Sequence, residues 1–180
     1  MSSVIDIQKY QPRYNDILFF DNNVWMFLFC PLASYEKKKQ KAYAELLKNA
    51  TQNKAAIFIN ALVISEFCNQ WLRIEFKSWS KKFSDVKDYK RDFIHTAVFK
   101  SAVFDVKDAL RKILSISERA SDNFNAIDLP NLLLEFGDSD FNDSYYLALA
   151  HLNKWKIVTD DADFLRNNGY DIDIITANIH

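Results

Sequence analysis

The chain has 180 residues, of which 49% are hydrophobic, 15% aromatic and 26% charged, with a formal net charge of −1. This composition excludes a disordered or low-complexity chain and supplies ample material for one packed core. It also excludes a Walker loop or dinucleotide fingerprint, which need clustered glycines, because the two glycines, Gly137 and Gly169, stand far apart.

No internal repeat or proline-rich linker divides the chain, so a single domain over 1–180 is expected. Ile17-Leu18-Phe19-Phe20 is a short continuous apolar run that stops at an Asp, the pattern of a strand buried on both faces of a parallel sheet. Val24 to Cys30 reads as a short helix halted by Pro31. Glu36 to Asn49 reads as a charged helix with Ala42, Tyr43, Leu46 and Leu47 inward. Ala56 to Ile59 is a second buried strand. Ala61 to about Ser80 is a helix, with Leu62, Phe67, Trp71 and Ile74 at helical spacing. The helical pattern continues, with one or more breaks, from about Asp85 to Ala120. Leu132-Leu133-Leu134 is expected as a third strand, Asp143 to Asn153 as a helix, and Lys156 to Thr159 and Ile172 to Ile175 as the last two strands. Strands alternating with helices predict an α/β domain around a central parallel β-sheet flanked by helices.

The longest apolar stretch, Val24 to Ala33, is too short to span a bilayer and lacks the flanks of a signal peptide. Cys30 and Cys68 cannot form a disulfide scaffold or a zinc cluster alone, and their apolar neighbours point to free, packed thiols. A soluble protein of the reducing cytoplasm is expected.

Charge is unevenly spread. Residues 37–119 carry 18 basic and 9 acidic side chains, whereas residues 120–180 carry 3 and 11. A basic segment suits a phosphate backbone and clustered carboxylates suit a divalent cation, although solvated helix faces would also account for the basic stretch.

Ligands of parallel sheets bind beyond the carboxyl ends of the strands. Asp21 follows the first strand directly, and Asp160, Asp161 and Asp163 follow the strand at 156–159. Asp140 and Asp143 lie at the start of the intervening helix. Glu66 sits among apolar residues with no Lys or Arg in helical reach, and burying such an acid is costly unless it has a partner. If these acids converge, their repulsion is relieved most directly by Mg²⁺ or Mn²⁺, which take oxygen ligands. No His or Cys stands at ligand spacing beside them, so zinc is not expected. Each acid also has a structural alternative: Asp21 and Asp140 as helix caps, Asp160 and Asp163 as turn-formers, Glu66 as the edge of an amphipathic face.

The order of these segments resembles the PIN domain family. Ile17 to Val24 resembles its opening strand ending in Asp-x-Asn/Ser-x, and Ser65-Glu66-Phe67 its acid on the helix after strand two. Asp143 to Ala150 is similar to its third motif, and Ile157 to Phe164 to its Thr-x-Asp-x-Asp-Phe motif. The resemblance spans about residues 17–175, leaves 1–16 as an N-terminal extension, and is greatest to VapC-type toxins. It implies a single PIN-like domain with an enlarged helical segment at about 76–120, and a divalent-metal-dependent ribonuclease from a toxin–antitoxin pair. Carried over, Asp21, Glu66, Asp143 and Asp161 match the acidic quartet, as catalytic residues and metal ligands. Asp163 matches an auxiliary metal-binding acid. Asn23 and Thr159 match the polar residues that orient the acids, and Asp140 is a second-tier candidate without a firm counterpart. Asp160 falls at a variable position and is assigned no metal.

The implied cofactor is Mg²⁺ or Mn²⁺. The implied partners are an RNA substrate, single-stranded or in loops, a small antitoxin and a second copy of the chain, with no membrane. Asp143, near a helix N-terminus, is expected to have its carboxylate stabilised by the helix dipole. Lys37, Lys38, Lys39, Lys41, Lys81, Lys82, Lys87, Lys90 and Arg91 are candidates to track RNA. Trp71, Trp79 and Tyr89 are candidates to stack a base, with core packing as the alternative. His95 and His151 read as helix-packing residues. Two rivals remain: a catalytically silent RNA- or protein-binding module on the same fold, and a haloacid-dehalogenase-type phosphatase, whose second acid is replaced here by Asn23.

Overall fold

A computed structural model describes residues 3–32, 36–137, 140–166 and 169–179, all but the side chain of Glu135. Among these residues six parallel strands form one sheet in the order β1-β6-β5-β2-β3-β4. They are β1 (Ser3–Asp6), β2 (Ile17–Phe20), β3 (Ala56–Ile59), β4 (Glu118–Arg119), β5 (Lys156–Val158) and β6 (Asp173–Thr176). The helices are α1 (Asn22–Phe29), α2 (Lys37–Gln52), α3 (Ala61–Ser80), α4 (Ala97–Ile116), α5 (Leu129–Glu135) and α6 (Phe141–Asn153).

β2 lies at the centre because every side chain in its second half is apolar. Leu18, Phe19 and Phe20 are essentially inaccessible, so both faces can be covered by helices. Trp155, just before β5, has its ring parallel to those of Phe19 and Phe58 at 5.6 and 5.2 Å, tying three central strands together. From β2 the chain crosses to β3 on one side, while β5 pairs on the other. The carboxyl ends of β2 and β5 therefore form the switch point of the sheet, where a crevice opens.

Two expectations are corrected. Leu132-Leu133-Leu134 is not a strand but the body of α5. Asp128 caps this helix by accepting from Asn131 N at 3.3 Å, and Pro130 stands in its first turn, a position that favours a helix. Leu132 is buried while Leu133 and Leu134 are exposed, as one-sided helix packing requires. The outer strand is instead Glu118–Arg119, within the stretch that reads as helical to Ala120; α4 stops at Ile116.

The residues ahead of β2 also contribute. Residues 3–6 form an edge strand on β6, and Lys156 anchors the segment that follows. Its Nζ lies 3.0 Å from Asp173 and 3.6 Å from Asp16, above the Tyr10 ring.

The enlarged segment holds a core of its own. A π-helical turn at Tyr89–Phe93 packs Tyr89 and Phe93 against Phe76, Trp79 and Phe99, with Phe93 fully buried. Trp71 is buried against Phe67 in the main core. Packing therefore accounts for all three aromatics considered for base stacking. Cys30 is buried and Cys68 half-buried, and the two do not form a disulfide. Among the described residues no helix is long and apolar enough to cross a membrane.

Candidate active site

Asp21 is the first residue past β2, and its backbone N–H extends the ladder to Val158 O at 3.0 Å. Its carboxylate is buried and does two things. Oδ1 accepts from Asn22 N at 2.6 Å, making Asp21 the N-cap of α1, and Oδ2 accepts from the Thr159 hydroxyl at 2.9 Å. The cap and the site are therefore one residue.

Thr159, fully buried after β5, is the hub. Besides donating to Asp21, its Oγ1 accepts from Asp161 N at 3.0 Å and from Asn23 Nδ2 at 3.1 Å. Asn23 Oδ1 in turn accepts from Asp160 N at 3.2 Å. This network locks the turn after β5 to the start of α1 and fixes the backbone of Asp161.

Glu66 stands on α3, whose N-cap Asn60 accepts from Val63 N at 2.9 Å. The Glu66 carboxylate accepts from the Tyr146 hydroxyl at 3.1 Å and from Asn142 Nδ2 at 3.4 Å, both on α6. Asp143 lies in the first turn of α6. Asp140 is the cap of that helix, accepting from Asp143 N at 3.0 Å, so its structural role is realised.

The four acids feel one another. Burial and then its acidic neighbours Asp140, Asp21, Asp161 and Glu66 push Asp143 up to about 8. Repulsion and desolvation thus outweigh the helix-dipole stabilisation expected of it. Asp21 is pushed up to about 7 by burial, with Glu66 and Asp161 adding to it and the Thr159 hydroxyl and Asn22 N–H holding it back. Among the described residues none of the four forms an ion pair with Lys or Arg, whereas Asp160 and Asp163 do.

Asp160 bonds Lys39 at 2.9 Å and lies 3.1 Å from the Tyr43 hydroxyl, outside the cluster. Asp163 lies 3.3 Å from Arg166, and its backbone N–H donates to Asp161 Oδ1 at 2.9 Å. It therefore orients Asp161 through the main chain.

The donor set is all oxygen and carries uncompensated negative charge, which suits a hard divalent cation. Among the described residues no three His, Cys, Asp or Glu side chains are drawn together enough to hold an ion directly. The fit is to a hydrated ion such as Mg²⁺, which takes one or two carboxylates and keeps several waters.

Three residues with a place in this site were read from the sequence only as packing, or not at all. Tyr146 follows Asp143 by three positions and Asn142 by four, so helical geometry sets it beside both, and it is the donor that fixes Glu66. Tyr43, read as an inward-facing core residue, lies 2.8 Å from Thr159 O and accepts from Ala177 N at 3.0 Å, joining α2 to the ends of β5 and β6. Of the basic candidates, Lys39, Lys41, Lys87 and Arg91 are engaged by Asp160, Glu45, Asp85 and Asp92, leaving Lys37, Lys38, Lys81, Lys82 and Lys90 as exposed cations. His95 and His151 are exposed, with the His151 ring against Tyr170 at 5.5 Å.

A parallel sheet that ties Asp21 and the turn bearing Asp161 to a buried threonine at its switch point, with Glu66 and Asp143 electrostatically coupled to Asp21, has the layout of a PIN domain. The PIN domain family profile matches residues 18–169, and the chain belongs to that family, whose members are generally nucleases. Among solved structures, VapBC2 from Rickettsia felis, bound to a DNA fragment from their promoter, is 15% identical. That alignment covers 88% of this chain and 98% of that one, with a TM-score of 0.50. PAE2754 from Pyrobaculum aerophilum is 16% identical over 96% of this chain and 90% of that one, with a TM-score of 0.46. No curated protein matches the chain in sequence.

Proposed function

We propose that this protein is a Mg²⁺- or Mn²⁺-dependent endoribonuclease, the toxin of a toxin–antitoxin pair. One observation carries the reading: Thr159 holds Asp21 and the backbone of Asp161 at the ends of β2 and β5, Glu66 and Asp143 are near enough to repel Asp21, and among the described residues no Lys or Arg pairs with any of the four. A pure binding module has no use for so repulsive a centre. Asp21, Asp143 and Asp161 would hold the metal, directly or through water, with Glu66 binding metal or holding a water. Asp163 would contribute by orienting Asp161. A divalent ion, when bound, supplies charge for the phosphoryl oxygens and lowers the pKa of water.

The protein's own part is positional. Thr159 and Asn22 N–H fix the two oxygens of Asp21, Asn23 and Thr159 fix the turn bearing Asp161, and Tyr146 with Asn142 aims Glu66. Asn23 is committed to this network at the position where a haloacid-dehalogenase-type phosphatase needs its second acid, which disfavours that chemistry.

A small antitoxin and a second copy of the chain are the proposed protein partners. Leu129, Leu133 and Leu134 on α5, with Phe136 just past its end, expose apolar surface of the kind a protein partner covers. The likeness to VapBC2 motivates the antitoxin, whose arginine would neutralise the acids. A cytoplasmic location follows from this role.

The test is incubation with a mixed single-stranded RNA pool and Mn²⁺ or Mg²⁺, with EDTA and Asp143→Asn as controls. Cleavage lost in both controls is the expected result. No cleavage, together with no calorimetric Mn²⁺ binding, would overturn the reading in favour of the silent module.

A further inference from the structure

α3 carries Glu66 in its second turn and continues to Ser80. At about 100° per residue, Glu66, Gln70, Arg73 and Lys77 fall within about 60° of one another around the helix, and the C-cap Lys81 continues the row. The flanks of this face are occupied. Phe67 and Trp71 pack into the main core on one side, and Phe76 and Trp79 pack on Phe93 of the π-helical turn on the other. Gln70, Arg73, Lys77 and Lys81 are exposed. The inner end of the row belongs to the acidic centre, because Asn22, next to Asp21, donates through Nδ2 to Gln70 Oε1 at 2.5 Å.

Beyond Gln70 the row is purely cationic. Arg73, Lys77 and Lys81 stand four residues apart, so like charges meet at i, i+4, an arrangement that destabilises a helix. No Asp or Glu lies three or four residues from Arg73 or Lys77 in either direction, and among the described residues none of the three cations forms an ion pair. A merely solvated helix face mixes signs at these spacings. The carboxylates just beyond α3 are engaged: Asp85 by Lys87, Asp92 by Arg91, and Asp88 as the cap of the π-helical turn. Arg73 lies with its guanidinium 5.9 Å from the centre of the Tyr89 ring, which fixes its position without a counter-charge. The enlarged segment thus supplies the support for this arginine.

At 1.5 Å per residue, the three cations lie roughly 10, 16 and 22 Å beyond Glu66 along the helix axis. A row one cation wide, leading away from the acids in even steps, complements a polymer with evenly spaced single negative charges. Nucleic acid has that form, with one phosphate per nucleotide. A strand whose scissile phosphate lies at the acids continues past them, and α3 offers it counter-charges where the acids themselves repel it.

We propose that the exposed face of α3 carries the phosphate backbone of the RNA strand away from the acids, with Arg73, Lys77 and Lys81 each taking a phosphate. The proposal rests on the ribonuclease reading and gives the substrate a path across the protein.

The binding test uses the full chain with Asp143→Asn in EDTA and a labelled single-stranded RNA, read by fluorescence anisotropy across a salt series. Adding Arg73→Gln and Lys77→Gln together removes two phosphate contacts. The affinity at 0.1 M salt should fall at least tenfold, and the slope of log affinity against log salt should shrink by about 1.4, at about 0.7 per contact on a single strand. Lys107→Gln with Lys112→Gln, which removes two exposed cations from α4, should change neither by as much as half. With Asp143 restored and Mn²⁺ present, the Arg73→Gln, Lys77→Gln chain should show a KM for RNA raised at least tenfold and an unchanged kcat. Unaltered affinity and salt slope in that double variant overturn the α3 path and leave the ribonuclease reading standing. So does a variant that handles RNA normally but no longer self-associates in sedimentation, which would assign the face to a second copy of the chain. Failure of every form to bind or cut RNA overturns both.

Discussion

Asp143→Asn should stabilise the metal-free protein while abolishing its cleavage of RNA. Asp143 is held near 8 against an ordinary value of 3.8. The folded state therefore keeps a proton that the unfolded chain releases near pH 4. The sign follows: the folded state binds more protons between those values, so stability falls as pH rises from about 4 to 8. One pKa unit corresponds to about 1.4 kcal/mol, which sets a ceiling of roughly 5 kcal/mol at pH 7.5. Asp143 is only partly buried, so solvent screening removes much of this, and the helix N-terminus returns a further ~0.3–1 kcal/mol to the carboxylate. A net gain of about 1–2 kcal/mol remains for the neutral side chain, or roughly 2–8 °C in Tm for a chain of this size.

The assay is thermal unfolding of both proteins in EDTA at pH 4, 6 and 7.5, then with Mn²⁺. The variant's advantage should be greatest at pH 7.5 and vanish at pH 4. Mn²⁺ should raise the wild-type Tm and raise the variant's less. An unchanged or lower Tm for the variant at pH 7.5, or an equal gain at pH 4, would refute the claim that repulsion among these acids strains the empty site.

Thr159→Val keeps the volume but strips Asp21 of its hydroxyl donor and the Asp161 and Asn23 nitrogens of their acceptor. It should cost about 2–3 kcal/mol in denaturant unfolding and lower cleavage at least tenfold at saturating metal. Lys156→Met should cost about 1 kcal/mol and speed hydrogen exchange in residues 3–16, because Lys156 bridges Asp16 and Asp173. Burial opposes ionisation of both acids. Even so, the Tyr10 hydroxyl, the Arg13 N–H and Lys156 hold Asp16 below the ordinary carboxylate range, and the Ser3 hydroxyl and Lys156 do the same for Asp173. That stabilisation is present at neutral pH and lost as pH falls through their depressed values. The Lys156→Met cost should shrink in acid, and a pH-independent cost would argue for lost packing alone.

The central strands were legible in the sequence because burial on both faces leaves no room for polar residues. Ile17–Phe20, Ala56–Ile59 and Lys156–Val158 stand out as apolar runs, each followed by a residue that caps or turns the chain. Helix ends were harder to see. With two glycines in the chain, the αL positions that close α6 and precede β3 fall to Lys154 and Lys54, with φ of 57° and 56°. A lysine carries no stop signal, although a glycine there would be less strained. The edge strands Ser3–Asp6 and Glu118–Arg119 were not visible, since a short strand with an open side needs no apolar run.

The sequence by itself determined the α/β class and the types of acid placed after its strands, because strand burial and strand ends leave local patterns. It could not decide which acids face one another or what holds them. That Asp140 caps α6, that Asp160 is neutralised by Lys39, and that Tyr146 steadies Glu66 from another helix depend on contacts between elements 76 to 121 residues apart, or on the geometry of one helix end. Only the packed sheet brings the ends of β2 and β5 together, and only there do separate carboxylates become one electrostatic centre.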